Sequence, residues 1–345
     1  MRLKNFYFIF LLFAAQSVIA QQTRLAVGLS NYRLPLNKKG AVIAEPYNAK
    51  GGSNQLKIIA DPQKLFTVKN NTLYLKKNKQ VSQTESRFVY PVKLSIGGVI
   101  LDIELVADGF LHNKVIAHRG AWKNQGASEN SLSSLRKAIE LGCEGSEFDV
   151  WLSEDGKPVI SHDASIGGYV VENTMAEDLQ RVPLKNGEFV PTLEQYLQLG
   201  KTQNRTALIL EIKSSAKGKA AMLNAVDSIV RLVACTRAQG WVKYISFDYD
   251  ALLHLRKLDP YADLSYLTGD KSVEEISKDR LNGIDYSFYS YDGDAGLVKK
   301  AHAAGLTVNV WTVNDAIKLR SFVDKGVDMI TTDEPELLLK IIKEK

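Results

Sequence analysis

Three carboxylate side chains lie within apolar, strand-like segments of this sequence. Glu147 and Asp149 alternate with apolar residues, and Glu211 ends the apolar run 207–210. Because side chains alternate between the two faces of a strand, Glu147 and Asp149 share one face. Burying like charges together is costly unless a proton, a basic partner or a cation compensates them. We therefore predict that Glu147, Asp149 and Glu211 bind a divalent metal.

The chemistry of these ligands narrows the choice of metal. Oxygen ligands favour a hard cation, Mg²⁺ or Ca²⁺, and no Cys or His repeat has the spacing of a zinc site. The alternative is an ion-pair network without metal, in which Glu211 pairs with Lys213 and Glu147 or Asp149 pairs with Arg119. The sequence leaves both the ion and this alternative open.

Two of the five histidines end apolar, strand-like runs. His118 ends the run 115–118 and His162 ends the run 158–162. Both are expected at the mouth of the fold, where histidine titrates in the range that proton transfer requires. Cleavage of a phosphodiester needs a base and an acid, and these two histidines could divide the work. The remaining histidines are interpreted as structural.

Two basic residues lie beside these groups. Arg119 follows His118 directly and offers a bidentate fork for phosphate oxygens, while Lys213 adds a point charge next to Glu211. Either side chain could instead serve only as a carboxylate partner.

From residue 113 onward, strand-like and helix-like segments alternate, with the first helix expected over 129–141. This alternation is typical of a parallel α/β fold, and residues 113–345 are close to the roughly 250 residues of a (β/α)8 TIM barrel. An open doubly wound sheet is the alternative. Nine candidate strands compete for eight positions, and the connection 153–156 is too short for a crossover helix. One strand must therefore be peripheral or misassigned.

Residues 21–112 follow a different pattern, with short alternating segments typical of half-buried strands. Hairpin turns are expected at Asn70-Asn71 and Gly97-Gly98. The pattern predicts a small all-β sandwich, which loosely resembles cadherin-like repeats without their calcium-binding acidic motifs. We assign this domain no chemistry.

The first 20 residues read as a signal peptide, with Arg2 and Lys4 before an apolar run that is too short to span a bilayer. We expect cleavage after Ala20, secretion to a periplasmic or extracellular location, and no integral membrane segment in the mature protein. The chain carries 44 Lys and Arg against 39 Asp and Glu, without a basic tract. This balance argues against nucleic acid as a partner. Cys143 and Cys235 are expected to be unpaired core residues.

The order and spacing of short motifs across residues 113–345 resemble the glycerophosphodiester phosphodiesterase family. The motifs are His118-Arg119-Gly120, Glu129-Asn130, Glu147-x-Asp149, Asp155-Gly156, His162-Asp163, Pro191-Thr192-Leu193, Glu211-Ile212-Lys213, Trp311-Thr312-Val313-Asn314 and Thr332-Asp333-x-Pro335.

The resemblance implies a role for each matching residue. His118 and His162 would be the acid and base pair, Glu147, Asp149 and Glu211 would bind Ca²⁺ or Mg²⁺, and Arg119 and Lys213 would contact phosphate. Trp311 would form a wall for the glycerol portion of a small-molecule phosphodiester or, alternatively, be a core indole. Glu129 and Asn130 would support Arg119, cap the first barrel helix, or both.

The resemblance implies hydrolysis to sn-glycerol 3-phosphate and an alcohol, by water or through a cyclic phosphate. Residues 164–169 depart from the family pattern, which leaves the head group open. One alternative is a related enzyme acting on lysophospholipid or phosphoinositide-like diesters. Another is a non-catalytic protein that binds a phosphodiester or a glycan. The oligomeric state is not predicted.

Overall fold

The computed structural model of the protein describes residues 26–82 and 86–345. The expected signal peptide, residues 1–20, lies outside the described residues. In the described part of the chain, no helix combines the length and the apolar character needed to cross a membrane. Contacts divide the chain into two compact units, with the boundary between Ala107 and Asp108; the short segment Lys257–Tyr261 groups with the first unit.

The described residues of 26–107 form nine strands in three sheets. One sheet has the order β2-β9-β8-β5, a second β3-β7-β6, and β1 pairs with β4. The strands are β1 (Val27–Leu29), β2 (Arg33–Leu34), β3 (Val42–Ala44), β4 (Pro46–Asn48), β5 (Leu56–Ala60), β6 (Phe66–Lys69), β7 (Thr72–Leu75), β8 (Val89–Ile96) and β9 (Val99–Ala107). This region is therefore all-β, as its alternating pattern predicts.

Side-chain alternation builds the core of this unit. Along β8, Tyr90, Val92, Leu94 and Ile96 are buried while the residues between them are more exposed, which is the period of two expected for one buried face. Both predicted hairpin turns are confirmed. Asn70-Asn71 joins β6 to β7 and Gly97-Gly98 joins β8 to β9, and all four residues adopt the positive φ of a tight two-residue turn.

The second unit contains a closed barrel of eight parallel strands. Its order is β10-β20-β19-β18-β17-β16-β15-β11, and pairing of β10 with β11 closes the ring. The strands are β10 (Val115–Ala117), β11 (Gly145–Leu152), β15 (Ala207–Ile212), β16 (Val242–Ser246), β17 (Leu264–Tyr266), β18 (Gly283–Ser287), β19 (Thr307–Trp311) and β20 (Met329–Thr332). The predicted TIM barrel is confirmed, and the open-sheet alternative is wrong.

The ninth candidate strand is peripheral. β12 (Pro158–Ile160) runs antiparallel to β11, because the short connection 153–157 permits only a hairpin. His162 therefore does not end a barrel strand, contrary to the expectation that it matches His118 in this respect. After it, β13 (Ser165–Ile166) and β14 (Tyr169–Val170) form a small hairpin. A satellite apolar cluster packs this segment against Trp151 near the carboxyl end of β11; it comprises Trp151, Val159, Ile166, Val171, Ala176 and Leu179.

Nine α-helices accompany the described strands of the second unit. They are α1 (Leu132–Leu141), α2 (Ala176–Leu179), α3 (Leu193–Gly200), α4 (Lys219–Cys235), α5 (Tyr249–Leu258), α6 (Val273–Lys278), α7 (Leu297–Ala303), α8 (Ala316–Asp324) and α9 (Pro335–Lys343), with 3₁₀ turns at Val171–Asn173 and Phe288–Tyr291. Helix α1 begins later than the expected residue 129. Asn130 has φ +55°, and Ser131 caps the helix by accepting from the Ser134 backbone N–H.

The two cysteines are free. Cys143 is buried, as expected of a core residue, and burial raises the pKa of its thiol to about 12. Cys235 is exposed at the end of α4, so its assignment to the core is wrong. The apolar pattern of α4 predicts a helix correctly but does not resolve which face its last residue occupies.

Candidate active site

A cavity of about 120 Å³ opens inside the barrel and collects most of the residues predicted to do chemistry. Its walls comprise His118, Arg119, Glu147, His162, Glu211, Lys213, Ile245, Phe247, Leu267, Asp285, Trp311, Thr312 and Thr331. Many of these residues lie at or just beyond the carboxyl ends of barrel strands, where parallel barrels place their functional groups. The volume suits a small polar moiety and is smaller than a typical drug-sized pocket.

The three predicted carboxylates meet at one side of this cavity. Glu147 and Asp149 lie on β11, and Asp149 is opposite Glu211 of β15 in the sheet register. One carboxylate oxygen of each lies within 4.8 Å of the others, and all three side chains are buried. This geometry could hold a metal ion.

The electrostatics of the cluster test whether a cation fits. Burial, followed by repulsion from Asp149 and Glu211, raises the pKa of Glu147 well above its usual range. Burial and the charge of Asp149 raise the pKa of Glu211 to about 8. In addition, Oε1 of Glu147 is buried and has no hydrogen-bond partner among the described residues. A hard divalent cation would satisfy this oxygen and offset the repulsion, so the donor set fits Mg²⁺ or Ca²⁺.

Asp149 is the member of the cluster held in its charged form. Although burial opposes ionisation, Lys213, the Asn130 amide, His162 and Arg119 together lower the pKa of Asp149. Nζ of Lys213 lies 3.1 Å from Oδ1 of Asp149 and 2.8 Å from Oε1 of Glu211. The ion-pair alternative is therefore present in part, beside the metal-binding geometry.

Arg119 does not pair closely with the three clustered carboxylates, as an ion-pair network without metal would require. Its Nη1 lies 2.6 Å from Glu129 Oε2, whereas its Nε is 3.9 Å from Asp149 Oδ2. Four carboxyl groups, those of Glu129 and the three cluster residues, thus share the two cations of Arg119 and Lys213. The remaining negative charge leaves room for a divalent cation.

The loop after β10 fixes both Arg119 and Asp149 through the backbone. Arg119 and Asn130 have φ of +56° and +55°, and the Asn130 N–H donates to the Arg119 carbonyl over 3.0 Å. Nδ2 of Asn130 donates to Asp149 Oδ2 at 2.8 Å, and the Asp149 N–H donates to Asn130 Oδ1 at 3.1 Å. The Arg119 N–H donates to Glu147 Oε2 at 2.8 Å.

These contacts separate the possible functions of the Glu129-Asn130 pair. Glu129 pairs with Arg119, whereas the side chain of Asn130 orients Asp149. Helix capping by this pair is wrong, because Ser131 is the N-cap of α1.

Each of the two predicted histidines has a carboxylate at its Nδ1. Nδ1 of His118 lies 2.7 Å from Asp333 Oδ1, and Nδ1 of His162 lies 2.7 Å from Asp163 Oδ1. A carboxylate acceptor favours the tautomer with the proton on Nδ1, which leaves Nε2 as the nitrogen that can exchange a proton. The peripheral position of β12 does not keep His162 from the cavity, since it contributes to the wall.

The two carboxylates differ in burial. The side chain of Asp333 is 18% exposed and accepts a second hydrogen bond from Asn314 Nδ2 at 2.7 Å, whereas that of Asp163 is 76% exposed. Although burial alone would raise it, the hydrogen bond and charge of His118 and the Asn314 amide lower the pKa of Asp333.

Trp311 lies in the cavity wall and is not a core indole. Its Nε1 donates to the Asp285 carbonyl at 2.7 Å, and its ring meets Phe247 edge-on, with the ring centroids 5.5 Å apart. The two rings provide an apolar surface opposite the charged cluster.

Several residues of the site were not assigned by sequence reasoning. Asp163, Asn314 and Asp333 fall within the recognised motifs, but nothing in the sequence states that they contact the histidines. Phe247 and Asp285 lie outside those motifs; the usable signal was a carboxylate within the apolar strand 283–287.

The sequence of this chain is similar to those of known phosphodiesterases. The sequence model described as the glycerophosphoryl diester phosphodiesterase family matches residues 118–337. A glycerophosphodiester phosphodiesterase of Caldanaerobacter subterraneus subsp. tengcongensis is 27% identical over 244 residues, which are 66% of this chain and 97% of that relative.

Solved structures of related proteins match a similar share of this chain. A glycerophosphodiester phosphodiesterase from Parabacteroides distasonis is 38% identical with a TM-score of 0.65, covering 68% of this chain and 99% of that one. An Oleispira antarctica phosphodiesterase, solved in complex with the product sn-glycerol-3-phosphate, is 26% identical with a TM-score of 0.60, covering 67% of this chain and 96% of that one.

Proposed function

The chain belongs to the glycerophosphoryl diester phosphodiesterase family, and from this premise we propose that it hydrolyses glycerophosphodiesters to sn-glycerol 3-phosphate and an alcohol. The observation that carries the proposal is that two histidines, two basic residues and two members of the buried carboxylate cluster, Glu147 and Glu211, line one cavity. A relative with the same fold was solved with sn-glycerol-3-phosphate bound, which supports the choice of product.

We propose that Glu147, Asp149 and Glu211 bind Mg²⁺ or Ca²⁺. When bound, the cation would supply positive charge against the negative charge that develops on the phosphate during attack. Asn130 would keep Asp149 oriented towards the ion, since it holds both the side chain and the backbone of that residue.

Arg119 and Lys213 are proposed to bind the phosphate. Both side chains contribute to the cavity wall, and Glu129 fixes the guanidinium of Arg119 so that little orientation remains to be lost on binding. Lys213 contacts Asp149 and Glu211 and also forms part of the cavity wall, so its charge acts on the carboxylates and on a bound anion.

His118 and His162 are proposed to move the protons. One accepts the proton of the attacking oxygen, and the other donates a proton to the leaving alkoxide. Asp333 and Asp163 would orient the rings and stabilise the imidazolium form, as carboxylates at Nδ1 do in other acid–base sites. The same arrangement serves attack by water or by a glycerol hydroxyl.

Turnover assays test the proposal. The purified protein would be incubated with glycerophosphocholine, glycerophosphoethanolamine and glycerophosphoglycerol, each with Mg²⁺, Ca²⁺ or EDTA, and release of sn-glycerol 3-phosphate measured. We expect turnover with a divalent cation and loss of turnover in EDTA. Full activity in EDTA would contradict the metal assignment.

Substitution of the histidines tests their roles separately. His118→Ala and His162→Ala are each expected to lower kcat by about 10²–10³-fold, the usual contribution of a positioned acid or base. Asp263→Asn is a suitable control, because Asp263 forms a half-exposed ion pair with Lys243 before β17. Near wild-type rates in both histidine variants would contradict the proton-transfer roles.

A lysophospholipid is the second candidate substrate, favoured by the hairpin that follows His162. Tyr169 and Val170 are each 48% exposed there, so an apolar surface adjoins the departure at residues 164–169. Lysophosphatidylcholine would be added to the same assay. If kcat/KM were higher for lysophosphatidylcholine than for glycerophosphocholine, the lysophospholipid would be the preferred substrate.

We also propose that the protein is secreted to a periplasmic or extracellular location. Residues 1–20 support this through their basic start and short apolar run. Amino-terminal sequencing of the mature protein is expected to begin at Gln21, and retention of Met1 would contradict cleavage.

A further inference from the structure

Asp285 is a buried acid of the cavity that the proposed mechanism does not use. It lies in β18, is 2% exposed, and contributes to the same cavity wall as His118 and Glu147. Its Oδ1 is buried and has no hydrogen-bond partner among the described residues. Leaving a carboxyl oxygen unpartnered in the interior is unfavourable, so a ligand that donates a hydrogen bond there would be stabilised.

Asp285 belongs to a polar layer across three neighbouring strands. It is opposite Asn309 of β19 in the register, and Asn309 Nδ2 donates to Thr331 Oγ1 of β20 at 2.8 Å. Oδ1 of Asn309 is also buried without a partner among the described residues. Each of these paired residues therefore keeps one unsatisfied acceptor oxygen, although a hydrogen bond from the Asn309 side chain partly offsets the effect of burial on the pKa of Asp285.

The surroundings of Asp285 do not favour a cation. Unlike Asp149, it forms no ion pair with a lysine or arginine of the described chain, and its other neighbours in the cavity wall include the apolar Ile245 and Leu267. Burial raises the pKa of Asp285 to about 7, which favours a neutral or hydrogen-bonded group over an isolated charge. An unsatisfied carboxyl oxygen in the wall of the cavity matches a hydroxyl group of the ligand.

The position of Trp311 indicates which part of the substrate would contact Asp285. Its indole N–H donates to the backbone carbonyl of Asp285, so the aromatic ring is fixed to the strand that carries the carboxyl group. Resting on the proposed function, we propose that Asp285 determines specificity by accepting a hydrogen bond from the free hydroxyl groups of the substrate's glycerol portion.

Binding of the product and of a hydroxyl-free analogue tests this directly and requires no turnover. Affinities for sn-glycerol 3-phosphate and ethyl phosphate would be measured by calorimetry with Mg²⁺ present, for wild type, Asp285→Ala and Asp285→Asn. Wild type is expected to prefer sn-glycerol 3-phosphate. Asp285→Ala is expected to bind it about 10–100-fold more weakly while binding ethyl phosphate as wild type does.

The conservative variant guards against misfolding. Asp285→Asn keeps the size of the side chain and one acceptor oxygen, so it is expected to lose less affinity than Asp285→Ala. Asp263→Asn, outside the cavity wall, is expected to match wild type on both ligands. An unchanged preference between the two ligands in both Asp285 variants, or no preference in wild type, would overturn the inference.

Two further outcomes separate the possible failures. We expect Asp285→Ala to raise the KM for glycerophosphocholine and the KM for glycerophosphoglycerol by the same factor, since both substrates carry the same glycerol portion. A loss confined to glycerophosphocholine would mean that Asp285 binds the head-group cation and would overturn the assignment to glycerol. If wild type cleaved neither diester, the proposed function would be wrong. If wild type cleaved them but the Asp285 variants kept the wild-type preference for sn-glycerol 3-phosphate over ethyl phosphate, only the role of Asp285 would be wrong.

Discussion

Buried carboxyl groups lie on two sides of the cavity, and their surroundings differ. On the β11–β15 side, Glu147, Asp149 and Glu211 lie together with Lys213 among them. On the β18 side, Asp285 is buried without a basic partner in the described chain, next to an amide and an indole. Clustered carboxylates create a demand for positive charge, whereas an isolated carboxyl group tends towards the neutral state and hydrogen bonding. The same functional group is thus proposed to bind a cation on one side and a hydroxyl group on the other.

The largest expected effect comes from removing charge on the β11–β15 side. Glu147→Gln should lower kcat/KM by about 10³-fold, since it removes a carboxylate from the proposed cation site. Its affinity for Mg²⁺ or Ca²⁺, measured by calorimetry, should fall as well. Because glutamine resembles the protonated state that burial already favours, the melting temperature in EDTA should not decrease.

The matched variant on the other side is Asp285→Asn. It should bind the divalent cation as tightly as wild type, because the cluster that attracts the ion is unchanged. Equal divalent affinity in wild type and Glu147→Gln would remove the distinction between the two sides.

A smaller effect is expected from the carboxylates that contact the histidines. Asp333→Asn should lower kcat by about 10²-fold, because a buried acceptor fixes the His118 tautomer. Asp163→Asn should lower kcat less than about 10-fold, since Asp163 is exposed and water screens its charge. Comparison of kcat across pH for the two variants provides the measurement. If kcat fell further in Asp163→Asn than in Asp333→Asn, the burial of the carboxylate would not determine how much each contact contributes to kcat.

The smallest effect concerns folding and not catalysis. Burial raises the pKa of Asp285 from 3.8 to about 7, so this residue stabilises the fold fully below pH 4 and loses that contribution as pH rises through 7. The shift corresponds to at most about 4 kcal/mol, and about 2 kcal/mol is expected after local relaxation. In EDTA, Asp285→Asn should therefore gain stability relative to wild type between pH 5 and pH 8.

Urea unfolding at several pH values measures this difference. A variant-minus-wild-type difference that stays constant with pH would show that Asp285 does not titrate in this range.

The sequence was sufficient to predict the parts of the site that depend on local periodicity. Strand alternation places Glu147 and Asp149 on one face, and the switch from short alternating segments to strand–helix repeats separates an all-β region from a barrel. These inferences succeed because side-chain direction follows from the backbone of a single strand.

Other features depend on contacts that local periodicity does not encode. The carboxylate that orients His118 is 215 positions away, at Asp333, and only closure of the barrel brings the two together. The antiparallel direction of β12 follows from its short connection, although its sequence resembles that of a parallel strand. Asp285 escaped notice because a single acid in an apolar strand has no partner in the sequence to signal its role.

The peripheral position of β12 has a consequence for how this enzyme could diversify. His162 is carried by a segment with its own apolar cluster, whereas the carboxylates and His118 belong to the ring of strands. Exchange of residues 153–192 between relatives would therefore replace His162 together with the hairpin that follows it, while the eight barrel strands keep their hydrogen-bonded closure. Chimeras joined at Leu152 and Leu193 would combine a new His162 segment with the unaltered carboxylate cluster, a route for recombination that single substitutions do not offer.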